Sequence, residues 1–167
     1  PVSSFFTFSR VSASNLSITV NDVATTLTTL KGHASALQLT DNSNIEDMVL
    51  TINNVRATYA GLSAYLFQPR GASTLRNVEL VWSDGASQMT SFTEANCVTR
   101  PNVDDGTTWN RMRFIFINEH ELSCIGGTEE TDLVNFPDTT NSEVPKLNDT
   151  LIQFVDSHVK LLSLTGS

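Results

Sequence analysis

Lysine is nearly missing from this chain of 167 residues: only Lys31, Lys146 and Lys160 are present, and charged residues of all kinds make up 17%. So few long charged side chains argue against the exposed helices of a cytoplasmic enzyme. The net charge of −8 leaves no cluster of bases to neutralise a phosphate backbone, so direct nucleic acid contact is not expected. Arg111 and Arg113 are close in sequence, but on a strand they form a pair on one face and not a patch. No apolar run approaches the ~18 residues of a spanning helix, which argues against membrane insertion. The chain opens at Pro1 and shows no signal peptide, as expected of a processed product or an excised domain. Cysteine is scarce as well. Cys97 and Cys124 enclose 26 residues, and a single pair is either one disulfide or two free thiols.

Catalytic signatures are also missing. No Gly-x-Ser-x-Gly elbow occurs, and "SDGAS" at 83–87 is explained by its Asp-Gly turn signal. "GASTLRN" at 71–77 has a single glycine and cannot form a phosphate cradle. The three histidines, His33, His120 and His158, are not spaced as a metal pair. His120 lies between Glu119 and Glu121, which would point away from it on a strand. Cys124 follows His120 by four residues with no third group to orient them. No enzymatic activity is expected.

What is abundant is Ser, Thr and Asn, 53 residues in all. Set over Val, Ile, Leu and Phe, they suit solvent-facing strands and polar turns. Alternation with period two recurs in "NLSITVND", "DMVLTINN", "RNVELVWSDG" and "WNRMRFIFINE". It predicts strands near 16–20, 48–53, 77–82 and 112–118, with Ile18, Leu50, Leu80, Phe114 and Phe116 in the core. The second half of "WNRMRFIFINE" is apolar on both faces and reads as a central, doubly covered strand. "TTLTTLKGHA", "NVRATYAGLSAYLF" and "NDTLIQFVDSHVKLLSL" fit strand or helix, and in a β-rich chain strands are preferred. In the last of these a hairpin would break at Asp156-Ser157. No repeat of fixed period is found. The expected fold is therefore a single all-β domain, residues 1–167, an antiparallel β-sandwich of jelly-roll or Greek-key type.

Two long loops are expected, at 98–109 and 126–145, gathered at one end of the sandwich as a partner-contact surface. Between Glu119 and Asp149 there are eight acidic residues and one base, Lys146. In "RPNVDDGTTWNRMRF" (100–114), Asp104 and Asp105 precede Gly106 and Trp109. An Asp-Gly turn is the plain reading. A calcium site would draw on Asp104 and Asp105, and a contact tip would present Asp104, Asp105 and Trp109 to a receptor or glycan. Asn15 (Asn-Leu-Ser) and Asn148 (Asn-Asp-Thr) are glycosylation sequons if the chain is secreted.

The polar turns "TDNSN" and "FPDTTNSEVP", the apolar strands and the few lysines resemble, in style and over the whole chain, the capsid proteins of small non-enveloped RNA viruses. The resemblance implies a jelly-roll shell domain or a protruding domain, self-assembly into a lattice, attachment to a host receptor or glycan, and a place in the virion. One departure is the lack of a basic N-terminal arm: no base precedes Arg10, which favours a protruding domain. The alternative is a secreted carbohydrate-binding or adhesive β-sandwich; a sandwich hydrolase ranks third.

Overall fold

The computed structural model describes residues 2–27, 33–40, 42–59, 63–69, 73–91, 94–99, 108–126, 131–134 and 146–163. They form fifteen strands: β1 (Val2–Ser9), β2 (Ser12–Asn21), β3 (Ala24–Leu27), β4 (His33–Thr40), β5 (Asn44–Asn53), β6 (Arg56–Tyr59), β7 (Ser63–Pro69), β8 (Thr74–Ser83), β9 (Ala86–Ser91), β10 (Glu94–Thr99), β11 (Thr108–Ile117), β12 (Glu121–Gly126), β13 (Thr131–Val134), β14 (Lys146–Val155) and β15 (Val159–Ser163). Every third strand joins the same sheet. The three sheets run β1-β4-β7-β10-β13, β14-β11-β8-β5-β2 and β15-β12-β9-β6-β3. The chain thus winds through five stacked coils, each giving one strand to each sheet: a β-solenoid.

All pairings are parallel, in all three sheets. This corrects the expected antiparallel jelly-roll or Greek-key sandwich. Alternation of period two identifies a strand and its inner face, but it is the same whichever way the neighbour runs. The polar turns misled for a related reason. Asn and Asp favour the left-handed conformation that tight hairpins use. Here single left-handed residues bend the chain into the next sheet instead of reversing it. Asp22, Asn54, Asp84, Asn118 and Asp156 occupy the corner between the second and third sheets, with φ of 51°, 50°, 52°, 48° and 47° respectively. Asp156 therefore ends no hairpin; β14 and β15 lie in different sheets.

These corners recur at spacings of 32, 30, 34 and 38 residues. The repeat is real but its period varies, which is why no fixed period emerges from the sequence. A second left-handed column, Asn15, Asp47, Asn77, Arg111 and Asp149, recurs at the same spacings inside the strands of the second sheet. There the strand register skips one residue per coil, from Ser14 to Leu16 opposite Glu46 to Met48. The skip lets Trp109 and Met112, three apart, both point inward and lie fully buried.

The core consists of inward ladders, one residue per coil. Leu16, Met48, Val78, Met112 and Thr150 are successive partners, as are Ile18, Leu50, Leu80, Phe114 and Ile152. Val20, Ile52, Trp82, Phe116 and Phe154 make a third ladder. Its aromatic rings stack, Trp82 on Phe116 and Phe116 on Phe154, each at 4.8 Å between centroids, which is the spacing of strands within a sheet. Leu50, Leu80, Phe114 and Phe116 are buried as expected, and Ile18 is half-buried against them. The strands expected near 16–20, 48–53, 77–82 and 112–118 all lie in this one sheet. β11 is covered on one face only: Ile115 and Ile117 are half-exposed, which corrects the doubly covered reading.

The ambiguous segments settle as strands β3, β6, β7, β14 and β15. The expected loop 126–145 contains β13, which pairs in parallel with β10. The remaining residues of that loop, and most of the 98–109 loop, lie outside the described residues. So does the expectation that the two gather at one end.

Two stability effects follow. Phe114→Ala should cost roughly 3–5 kcal/mol in chemical denaturation, because the ring is buried on all sides. Asn118→Ala should cost about 1–2 kcal/mol through its left-handed backbone, while Asn118→Gly should recover most of that loss. Equal losses for the Ala and Gly variants would mean that the backbone conformation is not the cause.

Candidate functional site

The second left-handed column creates the most developed polar surface among the described residues. In the second to fifth coils it carries a dipeptide that faces outward between two inward ladders: Glu46-Asp47, Arg76-Asn77, Asn110-Arg111 and Asn148-Asp149. Together these eight residues line an open groove of about 410 Å³ crossing four coils. The backbone bend that the left-handed residue imposes makes the concavity, and the coil stacking repeats it.

Within the groove the side chains engage one another from coil to coil. Asn77 Nδ2 donates to Asp47 Oδ1 at 2.6 Å. Arg76 Nη1 pairs with Glu46 Oε1 at 3.4 Å. Arg111 Nε faces Asp149 Oδ2 at 3.8 Å, and Asn148 Nδ2 donates to Asn110 Oδ1 at 3.4 Å. Beside the groove, Arg113 Nη1 pairs with Glu79 Oε1 at 3.0 Å. Three carboxylates and two guanidinium groups share the groove, so no strong field of one sign develops. Each of these carboxylates has a cationic or amide neighbour. What the arrangement can do is present planar amide, carboxylate and guanidinium groups, in repeating pairs, to a polar ligand.

The residues singled out from sequence fall elsewhere. Asp104 and Asp105, the candidate calcium and contact residues, lie outside the described residues. Among the described residues no group of three His, Cys, Asp or Glu side chains could hold a metal ion. Trp109 is fully buried, its ring tilted against Phe114 with centroids 6.1 Å apart. This corrects its assignment as a contact residue: the first inward position of β11 holds it in the core. Cys124 is buried and disulfide-bonded, and the only other cysteine of the chain is Cys97, in β10. Asn15 and Asn148 are both exposed in the left-handed column or beside it, and Asn148 lines the groove. His120 and His158 are both exposed, at the corner between β11 and β12 and its counterpart before β15.

That corner also holds a buried carboxylate. Glu119 is fully buried; its Oε1 accepts from the Ser87 backbone N–H at 2.8 Å, and its own N–H donates to Ser157 Oγ at 3.1 Å. The Ser87 hydroxyl in turn accepts from the Val55 N–H at 3.2 Å. Side chains here satisfy backbone groups where the third sheet begins, so Glu119 ties three coils together. It stands in the sequence window where a metal or catalytic His was sought, and its Oε1 serves a backbone N–H.

The groove was missed because its residues look like ordinary strand and turn polarity one coil at a time. Its signal lies in aligning "EDMVLTIN", "RNVELVWS", "NRMRFIFI" and "NDTLIQFV", where a polar pair precedes the same inward ladder each time. No protein-family profile matches the chain, and no significant match exists among curated proteins or solved structures. No helix among the described residues is long and apolar enough to cross a membrane.

The groove ion pairs are exposed, so they should matter little for folding. Arg76→Ala and Glu46→Gln should each change stability by no more than ~1 kcal/mol, read from the denaturation midpoint. A larger loss would make the pair part of the scaffold.

Proposed function

We propose that this chain is a non-catalytic attachment module that binds a neutral or weakly charged glycan along the groove of the second sheet. The supporting observation is the repeat of outward polar pairs at Glu46-Asp47, Arg76-Asn77, Asn110-Arg111 and Asn148-Asp149. A parallel sheet spaces these pairs by about 4.8 Å, comparable with the advance of one sugar unit in a polysaccharide. A periodic ligand therefore meets a periodic surface. Amides and paired charges suit hydroxyl groups, which donate and accept at once. The mutual pairing of the carboxylates favours binding over turnover, since a hydrolase needs carboxyl groups held apart and differently protonated.

Of the two expectations from sequence, host attachment and carbohydrate binding converge on this reading. Assembly of a jelly-roll shell loses its support with the antiparallel sandwich. The module would act outside a cell or on the surface of a particle.

The test is a glycan array followed by titration calorimetry on the best hit. Arg76→Ala combined with Asn110→Ala should weaken binding at least tenfold without moving the melting temperature. Absence of any glycan hit, or binding unchanged in the double variant, would sink the proposal.

A further inference from the structure

The charges of the groove nearly balance as a whole but not along its length. Its carboxylates, Glu46, Asp47 and Asp149, all belong to the outer two of its four coils. Its guanidinium groups, Arg76 and Arg111, both belong to the inner two, and each has an Asn beside it in the chain, Asn77 and Asn110. Asn110 lies directly over Arg76 in the strand register, so Arg111 follows the residue stacked on Arg76. The two cations therefore stand one coil apart, an interstrand step of about 4.8 Å.

Neither cation is consumed by its carboxylate. Arg76 meets Glu46 at 3.4 Å, longer than a good hydrogen bond, and Arg111 faces Asp149 at 3.8 Å, beyond hydrogen-bond length. Their side chains are 56% and 65% exposed. Arg113, just outside the groove, holds Glu79 at 3.0 Å and is by contrast a closed pair. A guanidinium group carries five N–H donors, so Arg76 and Arg111 keep donors to offer. The amides complete the pattern. Asn110 accepts from Asn148 through Oδ1, so what it can add is its Nδ2 hydrogens. Asn77 donates to Asp47 through Nδ2, so what it can add is its Oδ1. Three donor groups and one acceptor at the centre complement a carboxylate with a hydroxyl beside it. The outer coils prefer the opposite. Their carboxylates accept from hydroxyls and repel any further anion within the screening length of about 8 Å. The net charge of −8 adds to that repulsion.

We propose that the centre of the groove seats a single carboxylate between Arg76 and Arg111, carried by one acidic sugar unit with neutral units on either side. The identity of the carrier rests on the glycan reading above; the carboxylate seat rests on the placement of the charges. A chain with a carboxylate on every unit is rejected by the outer coils.

The probes are a neutral linear tetrasaccharide of hexoses, the same tetrasaccharide with one inner unit oxidised at C6 to the uronic acid, and the same with every unit so oxidised. In titration calorimetry the singly acidic probe should bind at least tenfold tighter than the other two, and its affinity should fall as salt is raised. Arg111→Gln should bring its affinity to within threefold of the neutral probe. Glu46→Gln, which removes the competitor for Arg76, should tighten it. Both variants should melt as wild type does, which separates lost recognition from lost folding. A sugar-free arm uses acetate, titrated while the arginine Nε–H resonances are followed by NMR. Acetate should move Arg76 and Arg111 and leave Arg56, exposed in β6, in place. Equal affinity for the neutral and singly acidic probes overturns the proposal and leaves the glycan reading standing. Tightest binding by the fully acidic probe overturns it too, as does acetate that moves neither arginine. If acetate moves both arginines and no tetrasaccharide binds, the carboxylate seat stands and the glycan reading fails.

Discussion

Register is the constraint on which everything else in this molecule rests. Each coil is held by the one beneath it only if strand lies over strand, ladder over ladder and bend over bend. The left-handed residues enforce this. A residue forced to positive φ can occupy only the bend, so a slip of one position that brought Val23, Val55 or Val78 there would put a β-branched side chain in a conformation that costs it about 1–2 kcal/mol. It would also turn every inward residue of that strand to solvent. The amide-to-carboxylate contacts along the two columns fix the same alignment from outside, and the stacked rings of Trp82, Phe116 and Phe154 fix it from inside.

The groove follows from the same constraint. Made by two residues per coil, it exists only because the coils agree in phase. Arg111 shows how far the scaffold can be stretched. It takes the left-handed position that Asn and Asp fill in the other four coils, a conformation that an unbranched long side chain tolerates less well. In exchange the groove gains a guanidinium group facing Asp149. Glu119 is the counterpart in the interior: a carboxylate buried so that the Ser87 backbone has an acceptor where the sheet changes.

The sequence made the strands of the second sheet and most of its buried residues legible, because there the inward ladder is apolar and the outward positions are polar. Phe114 and Phe116 could be placed inside from alternation alone. What alternation cannot carry is the direction of a neighbouring strand, so parallel coils and antiparallel hairpins wrote the same pattern. The Asp-Gly at 84–85 and the Asn-Asn at 53–54 looked like hairpin turns for the right local reason, left-handed backbone, attached to the wrong global consequence. Trp109 lies inward, as a tryptophan opening a strand commonly does, and the register skip at Arg111 puts it on the same face as Met112. The groove was hidden by variation in the coil length, since residues that stand above one another are separated by 30 to 38 positions along the chain.

That separation varies but never exceeds 38 residues, so every coil finds its template in the stretch of chain made immediately before it. β5 needs only β2, and β8 needs only β5. During synthesis the amino-terminal coils can therefore settle while the carboxyl-terminal ones are still being polymerised, each new turn condensing on a finished surface. The order of translation and the order of assembly therefore coincide, coil by coil.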